Sequence, residues 1–279
     1  MRYLDLDELP SRRMAQIRHL KPNDAPGPLS PRQKMVQTVE HILERVLLPR
    51  FQRVFVASTI EAAEVRRLTG FPHCQVLPNV YPVRPAPLER RTAERSEIFF
   101  VGTLAYYPNV DAVLYFCREV LPLIRKKKGE TVLFRIVGMG SSEALQCVSE
   151  QPGVELMGYQ ESLAPFYAQA ALVVVPLRAG AGTRLKILEA FAHGRVVVST
   201  SIGAEGLAVT DRKNILLADD PVLFAQACIE MIDNPELAAQ IAGEASRLHR
   251  DLYSDEALLR FYADISTAEN RDISIEASS

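Results

Sequence analysis

No apolar run in this 279-residue sequence is long enough to cross a membrane. The longest, such as ALVVVPL over 171–177, stop well short of the roughly 20 residues a spanning helix needs. The opening MRYLDLDELPSRR lacks an apolar signal core, so a cytoplasmic location is expected. Charge of one sign is missing too. Lys and Arg total 32 against 34 for Asp and Glu, a net of −2 that gives no field for non-specific nucleic-acid binding. The one basic run, Arg125-Lys126-Lys127-Lys128 before Gly129, reads as cations at the carbonyl end of a helix. Cysteines stand at 74, 117, 147 and 228 with no C-x-x-C pair, and no histidine sits at metal-ligand spacing. Structural zinc and a disulfide framework are disfavoured, and no metal or other cofactor is expected.

What is present from residue 97 onward is regular alternation. Short apolar runs (EIFFVG, VLFRIVG, VELMG, LVVVPL, VVVST, NILLA) are separated by longer amphipathic stretches such as NVDAVLYFCREVLPLIRKK and TRLKILEAFAHG. Runs this short and continuous suit strands buried on both faces, and the intervening helices imply a parallel, doubly wound α/β sheet. Residues 1–80 hold fewer elements: strands at RYLDL, RVFVA and QVLP, and a helix from about Gln33 to Leu48. PVRPAPLERRTAERS, rich in proline, arginine and glutamate, has linker composition. The expected organisation is a partial N-terminal domain over 1–80, a linker over 81–96 and a complete Rossmann-like domain over 97–233. C-terminal helices over 234–266 and a tail over 267–279 complete it.

Four glycine-bearing loops follow strands and so fall on one edge of the sheet, where open α/β folds bind ligands. In GAGTRLKILEAFAHG, Gly180 and Gly182 permit close approach of a phosphate. Thr183 opens the helix, and Arg184 and Lys186 add positive charge at its N-terminus. Gly102-Thr103 follows EIFFV, and Gly138-Met139-Gly140 gives a G-x-G without a third glycine, a weak dinucleotide signal. Glu205, in the turn SIGAEGL, is the acid of the loop after VVVST. Glu189 lies three residues beyond Lys186, and on spacing alone its plain reading is a solvated ion pair with that lysine. His193 before Gly194 reads as a helix C-cap or dipole partner.

The ordered set FVGTLAYYPNVDAVLYFCREVLPLIRKK, VGMG, GVELMGY and VVVPLRAGAGTRLKILEAFAHGRVVVSTSIGAEGL resembles the C-terminal half of a family-4, GT-B-fold, retaining glycosyltransferase. RVFVASTIEAAEVRRL and VLPNVYP resemble the end of that family's N-terminal domain and its hinge. The resemblance implies a donor site in which the loop through Gly180, Gly182 and Thr183 cradles a pyrophosphate. Arg184 and Lys186 would neutralise it, Glu189 would meet the ribose, and Gly102, Thr103, Gly138, Gly140 and Glu205 would line the rest. It also implies transfer without a divalent metal. Two departures stand out: Ala181 replaces the first acid of E-x7-E, and the acceptor half with its catalytic-region histidine is not matched by any histidine here.

The expected function is therefore a truncated glycosyltransferase of envelope or exopolysaccharide synthesis. It would take a nucleotide-sugar donor and a glycan or lipid-linked acceptor, with no nucleic acid. A separately encoded N-terminal partner and a peripheral membrane contact are admitted as further partners. A non-catalytic nucleotide-sugar-binding module, or one half of a split enzyme, is the alternative. A Rossmann oxidoreductase is disfavoured because no acid-terminated second strand follows the G-x-G at the usual distance.

Overall fold

The computed structural model describes residues 3–6, 31–82, 96–140, 143–180 and 184–263. Two parallel sheets organise them. The smaller has β1 (Tyr3–Leu6), β2 (Arg53–Val56) and β3 (Cys74–Val76) in the order β1-β2-β3. Helix α1 (Pro31–Leu47) precedes β2, and α2 (Thr59–Thr69) joins β2 to β3. The sequence reading did not separate α2 as an element, though its boundaries are written in the chain. Ser58 caps it, accepting from Glu61 N at 3.2 Å and donating to the Glu61 carboxylate at 3.1 Å. Gly70 ends it at φ +66°. The core here is small: Leu48, Val54, Val56, Ala62, Val65, Phe71 and Cys74. Among the described residues β1 and β3 each pair on one side only.

The larger sheet contains β4 (Ser96–Val101), β5 (Val132–Val137), β6 (Val154–Leu156), β7 (Leu172–Val175), β8 (Val197–Ser199) and β9 (Leu216–Leu217). Its order is β6-β5-β4-β7-β8-β9, all parallel. The chain winds outward from β4 to one edge, then returns to β7 and winds the other way, so the topological switch lies between β4 and β7. Helices α3 (Tyr107–Tyr115), α4 (Leu121–Lys128), α5 (Glu143–Ser149), α6 (Ala164–Gln169), α7 (Leu185–Ala192), α8 (Pro221–Asp233) and α9 (Pro235–Leu252) follow in turn.

Between α3 and α4 the single expected helix is interrupted by a π turn over Phe116–Val120, where Leu121 N donates to Phe116 O. Pro122 has no N–H to continue an α-helical ladder, which accounts for the wider turn. Phe100, Phe116, Phe134, Phe191 and Phe224 fill the core together with the β-branched strands. Ala238, Ile241, Ala242 and Ala245 of α9 join that same core, and Ser246 Oγ donates to Phe191 O at 2.8 Å. A helical segment over 255–263 follows α9 and meets the small sheet, where Phe261 packs edge-on against Phe55 at 6.2 Å. No helix among the described residues is long and apolar enough to cross a membrane.

Candidate functional site

The site forms where the switch point meets the mouth of α7. That helix, LKILEAFA, is apolar apart from Lys186 and Glu189, and Ile187, Leu188, Ala190 and Phe191 are buried around it. The two charged residues share a face by spacing, yet they do not pair with each other. Lys186 Nζ donates to Asn109 Oδ1 at 2.7 Å and lies 4.4 Å from the centre of the Phe100 ring. Among the described residues no carboxylate pairs with it. Enclosure of the ammonium, reinforced by the Arg184 charge, pulls its pKa down to about 7. The solvated Lys186–Glu189 pair favoured by spacing is thus overturned: each side chain has a nearer partner on another element.

Asn109, near the start of α3, is the hub the sequence reading missed. Its Nδ2 donates to Thr103 O at 2.9 Å, which turns its carbonyl oxygen toward the lysine. Gly102 must be glycine for this arrangement, since a Cβ there would stand 2.8 Å from Lys186 Nζ and 2.9 Å from Asn109 Nδ2. The loop after β5 locks onto the same backbone: Gly102 N donates to Val137 O at 3.0 Å and Leu104 N to Met139 O at 2.7 Å. Gly138 and Gly140 therefore lie backbone to backbone against the loop carrying Gly102 and Thr103.

Arg184, expected to meet a diphosphate, is buried at 6 % exposure. Its guanidinium donates to Gly180 O at 2.5 Å and to Ile202 O at 3.3 Å, tying the loop after β7 to the loop after β8. Arg184→Ala is expected to destabilise the fold by about 1–3 kcal/mol, because the buried Gly180 carbonyl and the partly buried Ile202 contact would lose a charged donor. Denaturant unfolding measures this, and an unchanged midpoint would show the bridge to be idle. Glu205 is half-buried in the second of these loops. Its neighbour Gly206, at φ +85°, approaches Ser58, so this loop abuts the smaller sheet. Gly182 and Thr183 lie outside the described residues.

Glu189 is nearly buried, at 8 % exposure, and faces away from the lysine toward the segment that follows the small sheet. The Tyr81 hydroxyl donates to its Oε1. Burial raises the Glu189 pKa, and the phenols of Tyr81 and Tyr167 act in the opposite sense. The buried Tyr167 hydroxyl completes no hydrogen bond but is electrostatically coupled to the same carboxylate. His193 caps α7 as the sequence suggests, with Gly194 following at φ +63°. Its ring stacks on Tyr167 at 4.5 Å, and burial lowers its pKa, which works against a charged dipole partner. Tyr81 lies in VLPNVYP, which reads from sequence only as a hinge, and neither it nor Tyr167 is marked there as a partner of Glu189.

A six-stranded sheet of this order, a smaller parallel sheet before it and a cationic helix mouth at the switch point define the GT-B architecture. Staphylococcus aureus TarM, solved in complex with fondaparinux, α-GlcNAc-glycerol and UDP, superposes with a TM-score of 0.70 at 18% identity, over 94% of this chain and 50% of TarM. Anabaena HepE in complex with UDP and glucose gives 0.67 at 13% identity, over 95% and 71% of the two chains. Residues 95–234 match the family described as glycosyl transferases group 1, and the chain belongs to that family. An "uncharacterized 44.6 kDa protein in cps region" of Klebsiella pneumoniae is 28% identical over 189 residues, 64% of this chain and 48% of that protein. The chain thus spans about half the length of that relative and of TarM.

Proposed function

We propose that this chain binds the nucleotide of a sugar-nucleotide donor and acts in a retaining glycosyltransferase that builds a cell-envelope or capsular glycan. The observation that carries this reading is Lys186: an enclosed ammonium with no carboxylate partner among the described residues, held by Asn109 at the switch-point edge of the sheet. A diphosphate is the ligand that completes such a site. It would restore full charge to the lysine and would be favoured by the dipole at the N-terminal end of α7. As the glycosidic bond breaks, the leaving diphosphate gains charge, and a fixed cation there stabilises it without reorganisation. Glu189, three residues along α7, would accept from ribose hydroxyls. The capsule-region relative and the UDP complexes of the neighbours support the donor class and the pathway class.

On this reading Lys186 and the helix mouth meet the diphosphate charge, so donor binding is expected to be metal-independent. Titration calorimetry with UDP and with GDP should show binding of at least one, at equal affinity with and without EDTA. Loss of binding on chelation overturns metal independence, and binding of neither nucleotide overturns the donor reading. A binding module without transferase activity is the second reading. It is favoured by the smaller sheet, whose three strands and short core are all that the described residues offer opposite the donor wall. Turnover of a labelled UDP- or GDP-sugar by the chain separates the two.

A further inference from the structure

Tyr81 is held at both backbone atoms as well as at its side chain. Its N–H donates to Tyr253 O at 3.0 Å, and its carbonyl oxygen accepts from His249 Nε2 at 2.9 Å. The Tyr253 hydroxyl in turn accepts from Ala208 N at 2.8 Å, in the loop after β8. The residue that leads out of the small sheet is thereby clamped to α9 and to the turn after it. From that anchor its hydroxyl reaches Glu189 Oε1. A buried carboxylate on an otherwise apolar helix needs a donor to hold its rotamer, and Tyr167, the other phenol nearby, completes no hydrogen bond.

We infer that Tyr81 is a positioning residue for the donor: its hydroxyl holds the Glu189 carboxylate in place to receive the ribose diol, tying donor affinity to the segment that joins the two sheets. This deepens the donor reading and rests on it. With Oε1 held by Tyr81, the carboxylate, which the Tyr167 phenol also neighbours, keeps a fixed orientation in which Oε2 would accept from the ribose hydroxyls. Without Tyr81 the carboxylate can turn toward Tyr167, and the diol loses its fixed acceptor. The groups facing Glu189 are Tyr81 from the joining segment and Tyr167 from α6, with the His193 ring stacked behind Tyr167. His249 of α9 acts one step removed, through the Tyr81 carbonyl.

The test compares UDP with its 2′,3′-dideoxy analogue, or GDP with its own if GDP binds more tightly, by calorimetry on the full chain. Wild type should favour the diol by about tenfold or more, the scale of hydrogen bonds to a charged acceptor. Tyr81→Phe, which keeps the ring and both backbone anchors, should reduce that preference to roughly two- to threefold. The acid limb of its binding profile should also move to higher pH, since the Tyr81 hydrogen bond lowers the Glu189 pKa. In a Glu189→Gln background the same substitution should change little, because its effect passes through Glu189. A Tyr81→Phe chain with the wild-type diol preference and pH profile overturns the inference while leaving the donor reading intact. A wild-type chain that binds nucleotide but ignores the diol removes the ribose role of Glu189, and this inference with it. A thermal melt within a few degrees of wild type confirms that the variant is folded.

Discussion

Lys186→Met should make the ligand-free chain more stable and at the same time weaken its affinity for a nucleoside diphosphate by at least tenfold. The two effects share one cause. An ammonium whose pKa falls from 10.5 to about 7 is disfavoured in its charged form by its enclosure, a penalty on the order of 3–5 kcal/mol below neutral pH. Below about pH 7 the lysine is protonated in folded and unfolded chains alike, so the folded state carries the whole penalty. Between about pH 7 and 10.5 the unfolded chain holds the proton and the folded chain does not, so stability rises with pH across that window. Methionine has similar length and no charge, and it removes this slope. It leaves Asn109 Oδ1 without its donor, a cost of about 1 kcal/mol that offsets only part of the gain.

Binding reverses the balance. A diphosphate beside Lys186 would raise its pKa, so at pH 8 the wild-type chain should take up close to one proton per nucleotide bound and the methionine variant none. Calorimetry in buffers of different ionisation heat counts these protons, and melts from pH 6 to 10 report the slope. A methionine variant that melts lower than wild type at pH 6, or that binds UDP or GDP as tightly, refutes this account of the lysine. The trade of stability for a poised charge is what a binding site on an otherwise apolar helix would be expected to show.

The sheet was legible because its strands are buried on both faces. EIFFV, VLFRIV and LVVV are continuous β-branched and aromatic runs, a pattern that fits a parallel core strand well. The mouth of α7 was legible for the same reason in reverse: glycines and cations are conspicuous after LVVVPL. Partner choice was not. Spacing three apart on a helix suggests that Lys186 and Glu189 meet, and only tertiary contacts from Asn109 and Tyr81 draw them apart. Both partners come from residues distant in sequence, 77 and 108 positions away, and no local pattern encodes that. Arg184 shows the same limit. A cation beside a glycine loop reads as an anion ligand, and the carbonyls of Gly180 and Ile202 that claim it become visible only when the two loops are brought side by side. The capping box of α2 is the opposite case, a local signal present in Ser58 and Glu61 and passed over.

Gly138→Ala is expected to be the most damaging single substitution at the site. In sequence Gly138-Met139-Gly140 looks like a truncated dinucleotide fingerprint, but in the fold its glycines let two backbones touch. A Cβ on Gly138 would stand 1.9 Å from the carbonyl oxygen of Gly102 and 2.9 Å from its carbon. No flexible side chain can yield there, so one loop must move by more than an ångström. The hydrogen bonds Gly102 N to Val137 O and Gly138 N to Gly158 O stand in the way of that movement. Overpacking against backbone of this kind costs about 3 kcal/mol or more. Because Gly102 also passes beside Lys186 Nζ and Asn109, displacing it should abolish measurable nucleotide binding even in chains that remain folded. Gly129→Ala provides the contrast. Gly129, unlike Gly138, has positive φ, at +69°, and a Cβ there meets nothing within 4 Å, so only the backbone preference is lost, about 1–3 kcal/mol. Urea unfolding of the two variants side by side, followed by calorimetry with UDP and GDP, separates steric collision from conformational preference. If Gly138→Ala unfolds at the same urea concentration as Gly129→Ala and still binds nucleotide, the two loops are not locked together and Gly138 must owe its place to something other than the close approach of Gly102.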